Sequence, residues 1–392
     1  MNSSNSRRDF LKTGGAALAA VGALGASALA APTHAAGGKN AADKPTSGRQ
    51  VPGDGTYPTI ELAKPSFLLG IVQARVRAVD SSNSRKSLRD NLNHMLRLID
   101  KAFRIGPKPD WLHFHEFAIT GWDTWTRDEI LKFALEVPGP ETEEISKKAK
   151  QYGCYITFGS YAKDADWPGH VLSLTITIGP DGSIVARDWK GAAEDVSGSF
   201  GANIQMFSTT IYSVLDRYIE MYGRDAVVPV HRTPLGNFAA TQMQRAPEMY
   251  RAMAIKGAEV ILATATGGFS SVDQQSSARN NRVYVAMANN AVSPDNPEFF
   301  DDTGGAGGCA IWGPDGKPVA EANGKAEQLV MARLPIAELR TRHRQPHVQS
   351  MELVRDIFND YNLSYPPNLF SEYDPTSLED AARYLKSKSR WK

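Results

Sequence analysis

The chain has 392 residues, 42% apolar and 22% charged, with a formal net charge of +1. These proportions suit a globular protein long enough to bury a large core, and they exclude a disordered or fibrous chain. Near-neutral charge leaves no electrostatic footprint for nucleic acid or an anionic membrane, so a small neutral or mixed-charge partner fits better.

In chain order, the first signal is Ser6-Arg7-Arg8-Asp9-Phe10-Leu11-Lys12, which resembles the twin-arginine export motif. A weakly apolar stretch rich in Ala and Gly runs from Thr13 to Ala30. Small-residue cleavage patterns follow at Ala26-Ser27-Ala28, Ala28-Leu29-Ala30 and Thr33-His34-Ala35. Its low hydrophobicity suits a cleaved signal better than a membrane anchor. Residues 1–36 are therefore expected to be a signal peptide, with the mature protein periplasmic and off the membrane. Residues 37–65, rich in Gly, Pro, Lys, Asp and Thr up to Pro58, read as a linker or arm.

Phe67 to Gln73 is an apolar run of strand length. Leu88, Leu92, Met95, Ile99 and Phe103 recur at helical spacing and predict an amphipathic helix. Trp111 to Phe114 predicts a strand that ends at His115-Glu116. Pro140 opens a helix with Glu141, Glu143 and Glu144 in its first turn, where carboxylates favour the dipole. Tyr155 to Gly159 is a third strand. Leu172–Ile178, the Gly179-Pro180-Asp181-Gly182 turn and Ser183–Trp189 predict a hairpin. Gly191 to Asp225 carries no clear pattern. Phe238–Thr241, Val260–Leu262, Val283–Ala288 and Ala310–Trp312 are further strands, with a helix from Pro247 to Lys256. A second Gly-Pro-Asp-Gly turn, at Gly313 to Gly316, hints at two similar halves. The alternation predicts a layered α/β fold over residues 66–340. Residues 341–392 form an extension with a helical tail, expected to contact a neighbouring subunit.

Three segments resemble the carbon–nitrogen hydrolase (nitrilase) superfamily. Asp110 to Trp122 is similar to the strand that delivers the family's glutamate. Val185 to Lys190 is similar to the hairpin strand that delivers its lysine. Gly236 to Glu248, continuing to Val260, resembles the elbow that carries its cysteine. The resemblance implies an αββα sandwich that pairs with a second copy into a four-layer core. It also implies hydrolysis of a small amide, nitrile or carbamoyl compound. The sequence itself carries no C-x-x-C or H-E-x-x-H pattern and no cofactor motif, so neither a metal nor a cofactor is expected. Glu116 and Lys190 fall on the triad's acidic and basic positions. Glu220 is a candidate for the additional glutamate between lysine and cysteine. Trp122, Met243 and Arg245 are candidates for the substrate pocket.

The elbow has no cysteine. Counting back from Pro247 reaches Thr241; counting forward from Gly236 reaches Met243. A thioether cannot be deprotonated, and a Thr hydroxyl needs a strong base before it attacks. The two cysteines, Cys154 and Cys309, belong to other segments, and sequence leaves their pairing open. Two expectations stand side by side: an exported hydrolase of altered or weak activity, and a non-catalytic relative that binds a small polar ligand or acts as a scaffold.

Overall fold

The computed structural model describes residues 54–388 apart from 124, 193–207, 297–299, 301–304, 347–348, 362–365, 374–375 and 377. The twin-arginine segment and its cleavage patterns lie outside the described residues.

The first sheet contains β1 (Phe67–Gln73), β2 (Trp111–Phe114), β3 (Leu135–Glu136), β4 (Tyr155–Asp164), β5 (Trp167–Ile178) and β6 (Ile184–Trp189). The second contains β7 (His231–Thr233), β8 (Gly236–Thr241), β9 (Val260–Thr264), β10 (Tyr284–Ala288), β11 (Ala310–Trp312) and β12 (Pro318–Glu321). A last strand, β13 (Gln328–Leu334), returns to pair antiparallel with β1. Spatial order is β13-β1-β2-β4-β5-β6 in one sheet and β12-β11-β10-β9-β8-β7 in the other.

The two halves repeat one plan. β1, β2 and β4 are parallel, then β5 and β6 follow antiparallel. β8, β9 and β10 are likewise parallel, followed by antiparallel β11 and β12. The twin Gly-Pro-Asp-Gly turns occupy equivalent places in this plan, each just before the outermost strand of its half.

Side-chain alternation builds the layers. Leu69, Ile71, Val260, Leu262, Tyr284 and Ala286 fill the space between the sheets. Their neighbours in the chain face outward, as a period of two requires. Val72, Leu112 and Ile156 meet Leu92, Met95 and Ile99 of α1 (Ser84–Arg104) and Ile145 of α3 (Pro140–Tyr152); a short α2 (Arg127–Phe133) lies between those helices in the chain. After α4 (Leu215–Tyr222), the second sheet is covered by α5 (Pro247–Ile255) and α6 (Ser271–Asn281). There Tyr250, Met253 and Ala278 pack on Ile261 and Val285. The αββα order is thus helices, sheet, sheet, helices.

Both flanking segments make contacts with the sandwich. The end of the presumed linker is tied down: Ala63 N–H donates to the Pro234 carbonyl, and Tyr57 Oη donates to Glu259 Oε1 at 3.0 Å. Glu259 is fully buried and also accepts from Arg340 and from the Asn237 N–H, so the arm helps close a buried ionic centre. The tail folds partly on its own chain. Phe370 is buried beside Trp167, Ile211 and Tyr218, and Asn368 N–H donates to the Tyr212 carbonyl.

Candidate active site

β2 ends at Phe114, and the chain turns at once through residues 115–120. That turn lies directly on β4. A Cβ at Gly159 would meet the Glu116 carbonyl oxygen at 2.1 Å, so only glycine permits the approach. Gly159 N–H donates to the His115 carbonyl across the same contact. Lys190 follows the last residue of β6, and its N–H donates to the Ser173 carbonyl. From these two places the side chains meet: Lys190 Nζ donates to Glu116 Oε1 at 3.1 Å.

Only 7% of the lysine side chain and 6% of the glutamate side chain is exposed. Burial pushes the Glu116 carboxyl above its ordinary range, while the charge and hydrogen bond of Lys190 oppose that rise. Tyr161 stands close by. Its phenol is raised by burial and then by the Glu116 charge, so it stays neutral. Its ring stacks on Phe117 at 4.4 Å.

The elbow reaches the lysine through β5. Ser173 Oγ donates to Gln242 Oε1 at 2.6 Å, and Gln242 Nε2 donates to Thr175 Oγ1 at 3.0 Å. The strand segment that holds the Lys190 backbone therefore also holds the elbow. Thr241 closes β8, and its Oγ1 accepts from the Met243 N–H at 3.0 Å. Met243 is buried, with its sulfur against Gly191; a Cβ there would meet Sδ at 2.5 Å. On the other side, His113 Nε2 donates to the Ala263 carbonyl at 3.0 Å, and Ala263 pairs with Thr241. The carboxyl ends of β2, β8 and β9 thus converge, the position where parallel α/β sheets form sites.

Glu116 and Lys190 are brought together as expected, and Thr241 and Met243 lie at the adjoining elbow. Trp122 is half-buried, edge-on to Phe300 at 5.8 Å. Two candidates fall elsewhere. Glu220 is exposed on α4, because Tyr218 is the residue that helix buries and residue 220, two positions on, points away from that face. Arg245 lines a separate cavity of about 420 Å³ with Glu248, Arg251 and Asp273, because the chain is by then rising into the outer layer. Sequence reading did not foresee Tyr161 or the Gln242 clamp; Gly159, inside a strand pattern, was the available signal of close backbone approach.

Both thiols are free and buried. Burial pushes Cys154 and Cys309 each up to about 12. Cys154 packs under α1 and α3, whereas Cys309 sits between the sheets and bonds to the Asn289 backbone. The arrangement therefore supplies a desolvated carboxylate and an ammonium, with a Thr hydroxyl at the neighbouring elbow.

The carbon–nitrogen hydrolase family model matches residues 68–344. A bifunctional nitrilase/nitrile hydratase of Lupinus angustifolius is 26% identical over 235 residues, covering 54% of this chain and 61% of that protein. The chain therefore matches about three-fifths of that relative's length. Nitrilase 3 of Arabidopsis thaliana is 26% identical over 287 residues, covering 67% of this chain and 75% of that protein. Among solved structures, an amidase from Nesterenkonia sp. superposes with a TM-score of 0.53 at 16% identity, covering 76% of this chain and 98% of that one. A mutant of the amidase from Nesterenkonia sp. AN1 shows covalent addition of the acetamide moiety of fluoroacetamide at its active-site cysteine.

Proposed function

Because the chain belongs to the carbon–nitrogen hydrolase family, we propose that it hydrolyses a small amide slowly, without a covalent thiol step. The buried Glu116–Lys190 pair at 3.1 Å carries this reading. Glu116 takes a proton from water, and the resulting hydroxide adds to the amide carbonyl carbon. The Lys190 ammonium stabilises the oxyanion. As the C–N bond breaks, the Glu116 carboxyl returns its proton to the nitrogen, leaving a carboxylic acid and an amine, between which the acid's proton then passes to give carboxylate and ammonium. Because this base must be ionised and its carboxyl is raised, the acid limb of the rate falls at a higher pH than for an ordinary glutamate. The rate is low, since catalytic groups that act as a unit lose most of their effect when one is removed.

A second reading follows from Met243. Its thioether occupies the space beside Gly191, next to the lysine. On this reading the pocket binds a small polar ligand without turning it over, and the charged pair persists because breaking it is costly.

One experiment separates the two. The purified protein is assayed against a panel of small amides and nitriles. Turnover that Glu116→Gln abolishes supports hydrolysis. Absence of turnover, with thermal stabilisation by panel compounds, supports binding.

We further propose export by the twin-arginine route to the periplasm, on the strength of Ser6 to Lys12; fractionation of cells expressing an Arg7→Lys, Arg8→Lys variant tests it. Pairing with a second copy is supported by Leu353, Ile357, Phe358 and Tyr361, exposed along and just past the helix Gln349–Asp360. Light scattering that gives the mass of a monomer contradicts that pairing.

A further inference from the structure

We propose that the open cavity along β6 is a second ligand site, distinct from the Glu116–Lys190 pair, for a small primary ammonium ion with an aromatic or apolar body. The cavity has a volume of about 980 Å³ and is lined by β6, by residues of α3 and α4, and by His231. That size lies at the upper end of the range for small-molecule sites. Neither Glu116 nor Lys190 lines it.

Asp188 supplies the recognition group. Its Oδ1 accepts from His231 Nε2 at 2.8 Å. Its Oδ2 is buried and has no hydrogen-bond partner among the described residues. The side chain is only 6% exposed, so solvent compensates that oxygen poorly. A buried carboxylate oxygen without a donor is unusual and asks for one.

The lining cations are committed elsewhere. Arg187 donates to the Val137 carbonyl and to Asp164 at 2.9 Å, and Lys147 donates to Glu144 at 2.8 Å. Glu143 adds a second carboxylate to the lining. Trp189, Tyr218 and Tyr222 form an aromatic wall, with centroids 5.2 Å apart for Trp189 and Tyr218 and 4.8 Å for the two tyrosines. An orphaned carboxylate oxygen beside clustered aromatic rings is the chemistry that recognises an ammonium ion.

Calorimetric titration of the full chain with benzylammonium, benzyl alcohol and benzoate tests this. The expected result is saturable binding of benzylammonium, tighter than benzyl alcohol by at least about 10-fold, with benzoate unbound. Asp188→Asn should weaken benzylammonium by about 10-fold or more while circular dichroism stays unchanged. Equal affinity for the alcohol and the ammonium, full binding by Asp188→Asn, or no saturation at millimolar concentration overturns the proposal. Should Asp188→Asn fail to fold, Tyr222→Leu decides: several-fold weaker benzylammonium binding supports the site, and unchanged binding overturns it.

Discussion

At the scale of single residues, the site rests on two charges taken out of water. An exposed pair of this kind contributes little, but here each ion depends on the other for compensation. Lys190→Met leaves Glu116 buried and unpaired. It is expected to lower stability by about 3–5 kcal/mol in urea denaturation, and Glu116→Gln added to it should restore much of the loss. A loss below about 1 kcal/mol for Lys190→Met would show the pair to be effectively solvated. Glu116 and Lys190 were legible because Asp110–Trp122 and Val185–Lys190 resemble the family segments that deliver its glutamate and lysine. Glu220 misled because its segment has an apolar neighbour on each side, which hides which face of α4 turns inward. The Asp188–His231 contact joins residues 43 positions apart in sequence, and nothing local announces it.

At the scale of elements, nine of the thirteen described strands were readable because alternation and turn residues mark them directly; the short β3, β7 and β12 and the closing strand β13 were not. β4 and β5 run longer than expected, since their outer ends, Ala162–Asp164 and Trp167–Val171, have no simple apolar pattern. The helix α6 escaped entirely. Its sequence Ser271–Asn281 has no apolar stripe, and its buried positions are Gln274, Ser277, Ala278 and Asn281. Hydrogen bonds replace apolar packing there: Tyr250 Oη donates to Gln274 Oε1 at 2.8 Å, and Gln274 Nε2 donates to the Gln244 carbonyl at 3.0 Å. This links α5, α6 and the elbow. Gln274→Leu is expected to destabilise by about 1–3 kcal/mol, because it removes both buried hydrogen bonds of the amide. Thermal melting checks it; an unchanged midpoint would mean that the amide is dispensable.

At the scale of the whole molecule, the two-layer sandwich sets the acid response. Burial holds His113 down to about 4 and His115 down to about 3, against an ordinary value of 6.5. Between those values the unfolded chain binds more protons than the folded one. Stability is therefore fully present above pH 6.5 and lost as pH falls toward 4 and then 3, by up to about 1.4 kcal/mol per pH unit for each group. Denaturation midpoints recorded between pH 7 and pH 4 should fall, and the fall should shrink in a folded His113→Gln variant. The same burial keeps both thiols protonated and inert. Amide hydrolysis measured before and after exhaustive treatment of the native protein with iodoacetamide therefore tests the central claim most directly. The account predicts an unchanged slow rate; inactivation that tracks alkylation of Cys154 or Cys309 would contradict it.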